Sequence, residues 1–343
     1  MPPSDFTSVP IVDIAPLFGD DPAGHRAVAD ALGRAASEVG FVYVTGCMPP
    51  DGVFERLLAV TQAFFALPPE AKMRTYIGDS TNHRGYVPEG EEVFAGGTPD
   101  KKEAFDFVPE VALPPGMAPH PFSGPNRWPD VPGFEEALSA YYAHVWSVAR
   151  ALFRGFALAL GEAPDAFDQY LTAPPSQLRL LHYPADDTAE DRPGIGAHTD
   201  YECFTLLRST TPGLEVLNGA GGWVDAPPVE DAFVVNIGDM LETWTNGRFV
   251  ATTHRVRKVT SERYSFPLFC SLDYWTVVEP LPQFVAEGDV VRPPVVAGEP
   301  IWAQTIQTFT YLRDRLAAGD LALPGGSHGL ATFGRVEAEV PAG

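Results

Sequence analysis

The sequence predicts a mixed α/β protein with a β-rich core, on three observations. An unbroken helical pattern runs from about Phe134 to Leu160, short apolar runs separated by turn residues fill the stretch from Gln177 to Leu272, and an amphipathic segment returns from Pro300 to about Ala317. The expected order is a mixed helical front, a strand-rich middle and a closing helix. A chain of 343 residues can bury a sizeable core, and 45% hydrophobic with 11% aromatic residues suits a packed globule.

Taken in order, Val9–Ile14 reads as a strand, and His25–Val39 as an alanine-rich helix closed by Gly40. Phe41–Thr45 reads as a strand, and Asp51 is placed to cap a helix running to Phe65. In the long helix, Phe134, Leu138, Tyr141, Val145, Val148, Leu152, Phe156 and Leu160 recur in steps of three and four. That spacing puts one apolar stripe against a core. The strand candidates that follow are Leu178–Tyr183, Cys203–Arg208, Leu214–Leu217, Ala232–Ile237, Thr252–Val256 and Tyr264–Leu272. Asn246-Gly247 carries a tight-hairpin signal and Gly221-Gly222 a second turn signal. Short strands at regular spacing suggest an antiparallel sandwich or barrel. The 35 prolines and 32 glycines are spread along the chain as punctuation between elements.

Composition excludes several function classes. The 45 Asp+Glu against 23 Lys+Arg give a formal charge of -22, which repels phosphate backbones, so nucleic acid is not an expected partner. MPPSDFTSVP has neither the basic nor the apolar region of a signal peptide, and no apolar run is long enough to span a membrane. Cys47, Cys203 and Cys270 are odd in number and far apart, so neither a disulfide framework nor a thiolate zinc site is expected; a reducing cytoplasm fits.

The chemistry-bearing stretch is Gly196-Ala197-His198-Thr199-Asp200. On an extended strand, residues i and i+2 point the same way, so an imidazole and a carboxylate face one metal. His254, within Thr253-His254-Arg255-Val256, sits on another expected strand. Two histidines and one carboxylate on one face of an octahedral ion leave positions open, the arrangement of non-haem Fe(II) oxygenases. Arg263 and Ser265 again share one side of a strand, where a guanidinium and a hydroxyl could together clamp a carboxylate; alone, an arginine paired with a surface acid would read the same way.

The segments RLLHYP, GIGAHTDYECFTLL, VNIGDMLETWTNGRFVATTHRV and RYSFPLF together resemble the isopenicillin-N-synthase-like family of 2-oxoglutarate/Fe(II) dioxygenases. The likeness is dense in the C-terminal half and looser in front, through Val9–Ile14, Gly40–Gly46, Arg84-Gly85-Tyr86 and Lys102–Phe107. It implies a double-stranded β-helix (jelly roll) flanked by helices, Fe(II) on His198, Asp200 and His254, and O2 and 2-oxoglutarate as co-substrates. It further implies that Arg263 and Ser265, helped by Tyr183, hold the distal carboxylate. Many plant members have asparagine where this chain has Leu181, so fewer polar contacts to the keto acid are expected.

The expected division is 1–175 as a mixed N-terminal region, 176–290 as the catalytic barrel and 291–343 as a C-terminal helix and tail. Arg84, Tyr86, Phe105, Phe107, Tyr201 and Phe204 are candidate lining of a small-molecule pocket, with residues 88–100 a candidate lid. Asn236 and Asp239 read as turn-forming, His182 as packing on the face opposite Tyr183, and Cys203 as a buried apolar residue. A monomer is the expected state. The expected reaction is oxidation, by default hydroxylation, of a C–H bond in a small organic molecule. The competing readings are an Fe(II) oxidase that uses no 2-oxoglutarate, a non-oxidative zinc enzyme, and a binding module on the same barrel.

Overall fold

A computed structural model describes residues 3–93, 101–185 and 194–325. Twelve of the described strands fall into two sheets, and the short pair Val277–Val278 and Val295–Val296 forms a separate ladder. The first eight in use are β1 (Ile11–Asp13), β2 (Phe41–Thr45), β3 (Gly85–Val87), β4 (Glu103–Phe107), β5 (Gln177–Tyr183), β6 (Ile195–His198), β7 (Phe204–Ser209) and β8 (Leu214–Leu217). They are followed by β9 (Trp223–Asp225), β10 (Phe233–Ile237), β11 (His254–Val256) and β12 (Arg263–Cys270). The larger sheet has eight strands in the order β1-β2-β10-β7-β12-β5-β4-β3, and the smaller has four, β6-β11-β8-β9. From β5 to β12 the chain crosses from one sheet to the other at every connection except the β8–β9 hairpin, as a jelly roll requires. The N-terminal strands do not form a sheet of their own; they extend the larger sheet at both edges.

Alternation along the strands decides what faces where. On β12, Tyr264, Phe266, Leu268 and Cys270 join the main hydrophobic core, as do Leu178 and Leu180 of β5, Phe204 and Leu206 of β7, and Phe233, Val235 and Ile237 of β10. This apolar face is covered by helices α1 (Pro22–Glu38), α2 (Val53–Phe65) and α4 (Phe134–Ala159), while α3 (Pro69–Lys72) is a single turn. The expected stripe of α4 is buried along its whole length. The opposite face of the same strands carries Gln177, Arg179, Tyr183, Thr205, Asn236, Arg263 and Ser265, because side chains one residue apart must point to opposite sides.

Gly40 lets the chain turn from α1 into β2. Its φ is +73°, and a Cβ there would lie 2.3 Å from the Val250 carbonyl oxygen and from the Thr252 hydroxyl. No L side chain fits that conformation and that space.

Four sequence expectations are corrected. Asp51 does not cap α2: Gly52 does, at φ 80°, with no side-chain hydrogen bond. Asn246-Gly247 does not join two strands. It ends helix α5 (Asp239–Trp244), with the Gly247 amide donating to the Glu242 carbonyl at 2.8 Å. The turn residues are right, but they serve a helix C-terminus, which asks for the same positive φ. The returning helix is two, α6 (Gly298–Thr308) and α7 (Thr310–Ala318), broken at extended Phe309; across its strand-like bridge to Glu92 the Thr308 carbonyl and the Thr310 amide bond to Val93 and Glu91 instead of within a helix. β6 ends at His198, so Asp200 lies in the following turn and not on the strand. The hairpin at Gly221-Gly222 does form, between β8 and β9.

Replacing Gly40 with alanine should destabilise the protein by about 2 kcal/mol or more, since backbone atoms cannot yield as a side chain would. Urea unfolding of the variant is the check, and an unchanged midpoint would contradict this account of the turn.

Candidate active site

The interior face of the barrel brings together His198, Asp200 and His254, with one ligand-capable atom from each lying within 4.8 Å of the others. Residues 56 positions apart meet because β6 and β11 are antiparallel neighbours with His198 directly opposite His254. Each imidazole is oriented from behind. His198 Nδ1 sits 2.8 Å from the Gly196 carbonyl and His254 Nδ1 3.2 Å from the Thr252 carbonyl. Those acceptors place the proton on Nδ1 and leave Nε2 with its lone pair toward the centre. Phe41 packs edge-on to the His254 ring at 5.3 Å.

Asp200 is held more firmly. Its Oδ2 accepts from the Asn236 amide at 2.7 Å and from the Thr205 hydroxyl, while Oδ1 faces the two Nε2 atoms at 3.5 and 3.6 Å. One oxygen is thus tied to the sheet and the other is offered to the centre. The backbone is fixed too: the Asp239 amide, which as a first-turn donor of α5 has no intrahelical acceptor, donates to the Asp200 carbonyl at 2.9 Å. Gly238 permits this approach, because a Cβ there would meet the Glu202 carbonyl oxygen at 2.2 Å.

The electrostatics suit a cation. Burial, and then the neighbouring His254, push His198 down to about 4, so its ring is neutral and able to ligate near pH 7. Burial works to raise the Asp200 carboxyl, but the two histidines and the bonds from Thr205 and Asn236 outweigh it and hold the group below its ordinary value. Glu202 lies on the same cavity wall, and burial followed by the Asp200 charge pushes it up to about 8.

Deeper in the barrel, Arg263 is 1% exposed and lies opposite Tyr183 in the β12–β5 ladder, its guanidinium carbon 4.9 Å from the Tyr183 ring centre. Its Nε donates to the Thr211 carbonyl at 3.2 Å, and Nη1 has no acceptor among the described residues. No carboxylate among them pairs with it, and burial lowers its pKa. A buried cation without an anion is costly unless a ligand supplies the anion. Ser265, on the same face and opposite Leu181, adds a hydroxyl. The donor set of the triad and the unpaired Nη1 thus fit, respectively, a divalent transition metal and a dicarboxylate.

Beside the triad a cavity of about 930 Å3, part of it continuous with solvent, is lined by Tyr201, Glu202, Gln177, Arg179, Glu92 and Lys102 among others. Tyr201 is the one pocket candidate from the sequence that lines it. Arg84 instead staples backbone, donating to the carbonyls of Val108 at 2.5 Å and Phe122, and to Asn126 Oδ1 at 3.3 Å. Tyr86 bonds Glu103 at 2.7 Å. Phe105 and Phe107 pack in the aromatic core, against Phe134 at 5.0 Å and Trp128 at 5.3 Å. Phe204 lies 4.7 Å from Phe153, beneath the helices. The reason is the alternation already described: Asp106 and Thr205, each one residue away from these rings, face the interior. His182 does lie opposite Tyr183, bonded to Glu103 and Glu262. Cys203 is buried and free. Asn236, expected in a turn, is a strand residue bonded to Asp200. The candidate lid falls mostly outside the described residues, at 94–100.

A jelly roll with this interior triad defines the class of non-haem metal oxygenases. Residues 9–131 match the family described as the N-terminal region of a non-haem dioxygenase in morphine synthesis, and residues 174–272 match the 2OG-Fe(II) oxygenase superfamily. A homoarginine-6-hydroxylase of Oryza sativa subsp. japonica is 37% identical over 327 residues, 89% of this chain and 99% of that one. The 2-oxoglutarate-Fe(II) type oxidoreductase hxnY of Emericella nidulans is 33% identical, over 85% of this chain and 88% of its own. Among solved structures, full-length Neurospora crassa T7H in complex with alpha-KG superposes with a TM-score of 0.75 at 27% identity, covering 90% of this chain and 96% of that chain. The chain belongs to the 2OG-Fe(II) oxygenase superfamily, and it is a dioxygenase that uses Fe(II), 2-oxoglutarate and O2. The oxidase, zinc-enzyme and binding-module readings are thereby set aside.

Replacing Asn236 with leucine should weaken metal binding about 10- to 100-fold while the fold persists, as loss of an outer partner does at other metal sites. Equilibrium dialysis with Mn(II) measures it; unchanged affinity would show that Thr205 alone suffices to orient Asp200.

Proposed function

We propose that this dioxygenase hydroxylates a C–H bond of a small organic molecule held in the cavity beside His198, Asp200 and His254. In this reading Nε2 of each histidine and Oδ1 of Asp200 hold the iron. Arg263, Ser265 and Tyr183 receive the distal carboxylate of 2-oxoglutarate. The observation that carries the reading is Arg263, buried on the inward side of the larger sheet with Nη1 and its charge unmatched by any described acceptor or carboxylate. Iron, O2 and 2-oxoglutarate together supply the oxidation, with one oxygen atom entering the substrate and the other leaving in succinate as CO2 is released. The protein's share is to orient the ligands, neutralise the keto acid's charge and exclude bulk water from the cavity.

The rice relative is named for homoarginine, and a Neurospora crassa T7H structure is described as a complex with thymine. Both are small polar molecules, which supports the size class of the substrate. We take 176–290 as the catalytic unit, with 1–175 and 291–343 packed on it, and expect it to act as a monomer. None of the described helices is long and apolar enough to cross a membrane. The buried free cysteines suit a reducing compartment, hence the cytoplasm.

Anaerobic titration of the Fe(II)-loaded protein with 2-oxoglutarate should develop the weak visible metal-to-ligand charge-transfer band. His198→Ala should abolish it; its persistence there would remove His198 from the ligand set. No band in iron-replete wild type would sink the proposal.

Arg263→Met should act with opposite signs on binding and stability. It should weaken 2-oxoglutarate binding by about 30-fold or more, from the loss of a charge-assisted contact worth roughly 2–5 kcal/mol. It should leave the ligand-free protein as stable as wild type or more so, because a buried uncompensated cation is removed. Titration and thermal unfolding in the absence of ligand test the two halves separately.

A further inference from the structure

The interior face of β5 continues past the co-substrate clamp. Stepping back by two from Tyr183 gives Leu181, Arg179 and Gln177, and the last three of these four line the cavity next to the triad. At roughly 3.3 Å per residue, Arg179 and Gln177 present their side chains on one face, about 7 Å apart along the strand.

Arg179 sits in a buried four-charge network. Its Nε and Nη2 donate to the two oxygens of Asp106 at 2.7 and 3.0 Å. Nη2 also lies 2.5 Å from Glu92 Oε1, and Lys102 Nζ lies 2.7 Å from Glu92 Oε2. Two cations thus meet two carboxylates, and the guanidinium is already counterbalanced. Its remaining nitrogen, Nη1, carries two N–H donors and has no acceptor among the described residues. The network also fixes the guanidinium plane, which lies over Phe309 with 5.7 Å from its carbon to the ring centre. Two residues along, the Gln177 side-chain amide lines the cavity and makes no hydrogen bond to any described residue. A donor on a neutralised frame and a neighbouring free amide are flanked by the apolar walls of Phe122, Phe269 and Ile301.

We propose that Arg179 and Gln177 are specificity-determining residues that hold a neutral amide-type edge of the substrate, its carbonyl on Arg179 Nη1 and its N–H on the Gln177 side-chain oxygen. The inference rests on the dioxygenase reading of this site and names the substrate class within it. A carboxylate at that point would be a third negative charge beside Glu92 and Asp106. A cationic head would meet Arg179 and Lys102, with both acids already engaged. A carbonyl has neither penalty, and its apolar remainder packs on the phenylalanines.

Three isosteric probes separate the possibilities: benzamide is neutral, benzoate anionic and benzamidine cationic. Each is titrated by calorimetry into the anaerobic Fe(II)·2-oxoglutarate enzyme, with the charge-transfer band recorded in the same sample. Benzamide is expected to bind most tightly of the three. Arg179→Lys keeps a cation for Asp106 and Glu92 but removes Nη1, and should weaken benzamide about tenfold or more, with the 2-oxoglutarate affinity unchanged. Gln177→Leu, whose parent amide supports nothing in the fold, should weaken benzamide about 3- to 10-fold and leave benzoate unaffected. Tighter binding of benzoate or benzamidine, or no binding of any probe, overturns the proposal while the band still stands. Unchanged benzamide affinity in Gln177→Leu overturns it as well, even should Arg179→Lys not fold. Loss of the band itself in wild type is failure of the dioxygenase reading instead.

Discussion

The architecture depends on one constraint, the two-residue alternation of the larger sheet between a face sealed by helices and a face turned into the barrel. Along β12 the apolar residues Tyr264, Phe266, Leu268 and Cys270 are held against the core. Burying one such large side chain contributes about 1.5–3 kcal/mol, and several on each strand make a shift of register by one residue prohibitive. Arg263 and Ser265 are therefore kept inward by the packing of their neighbours, although an arginine in that position costs stability by itself. The same holds for Asn236 between Val235 and Ile237, and for Thr205 between Phe204 and Leu206.

On the inward face, stability and function pull in different directions. Asp200 is buried, yet its carboxylate is satisfied by Asn236 and Thr205 and its backbone by the start of α5. That arrangement pre-orients Oδ1 without help from a metal. Arg263 is left without an anion among the described residues, so the fold bears a desolvation cost that a bound anion would offset. On the cavity wall beside the triad, Lys102, Glu92 and Arg179, with Asp106 behind them, form a network that is balanced internally. The three groups differ in how completely the protein satisfies them, and that difference separates structural polarity from polarity kept for ligands.

Much of the site was legible before the fold was known, through short local motifs. His198 with Asp200, and Arg263 with Ser265, are i, i+2 pairs, and their partner His254 follows from the fit of residue types to one metal. What local patterns could not give was the facing of a strand whose residues are apolar on both sides. Phe105 and Phe107 looked like pocket lining, yet Asp106 between them is the residue that reaches the interior. Phe204 was chosen where Thr205 faces Asp200. Arg179 and Gln177 were reachable by counting back from Tyr183 in twos, since the strand itself was expected. Glu92 and Lys102 carried no such signal; their nearness to Arg179 depends on β4 pairing with β5 and on the break at Phe309.

The sequence by itself indicated the long helix, most of the strands and the residues suited to iron and a dicarboxylate, because helix periodicity, strand alternation and i, i+2 pairing are local properties of the chain. Only the tertiary structure decided three further matters. It decided that Asn246-Gly247 ends a helix rather than turning a hairpin, because both uses demand the same backbone angles. It decided that Arg84 staples backbone rather than meeting a ligand, because a guanidinium bonds whichever carbonyls the fold brings to it. And it decided which polar residues share a cavity with the triad, because that depends on strand order between residues far apart in the chain, which no local pattern encodes.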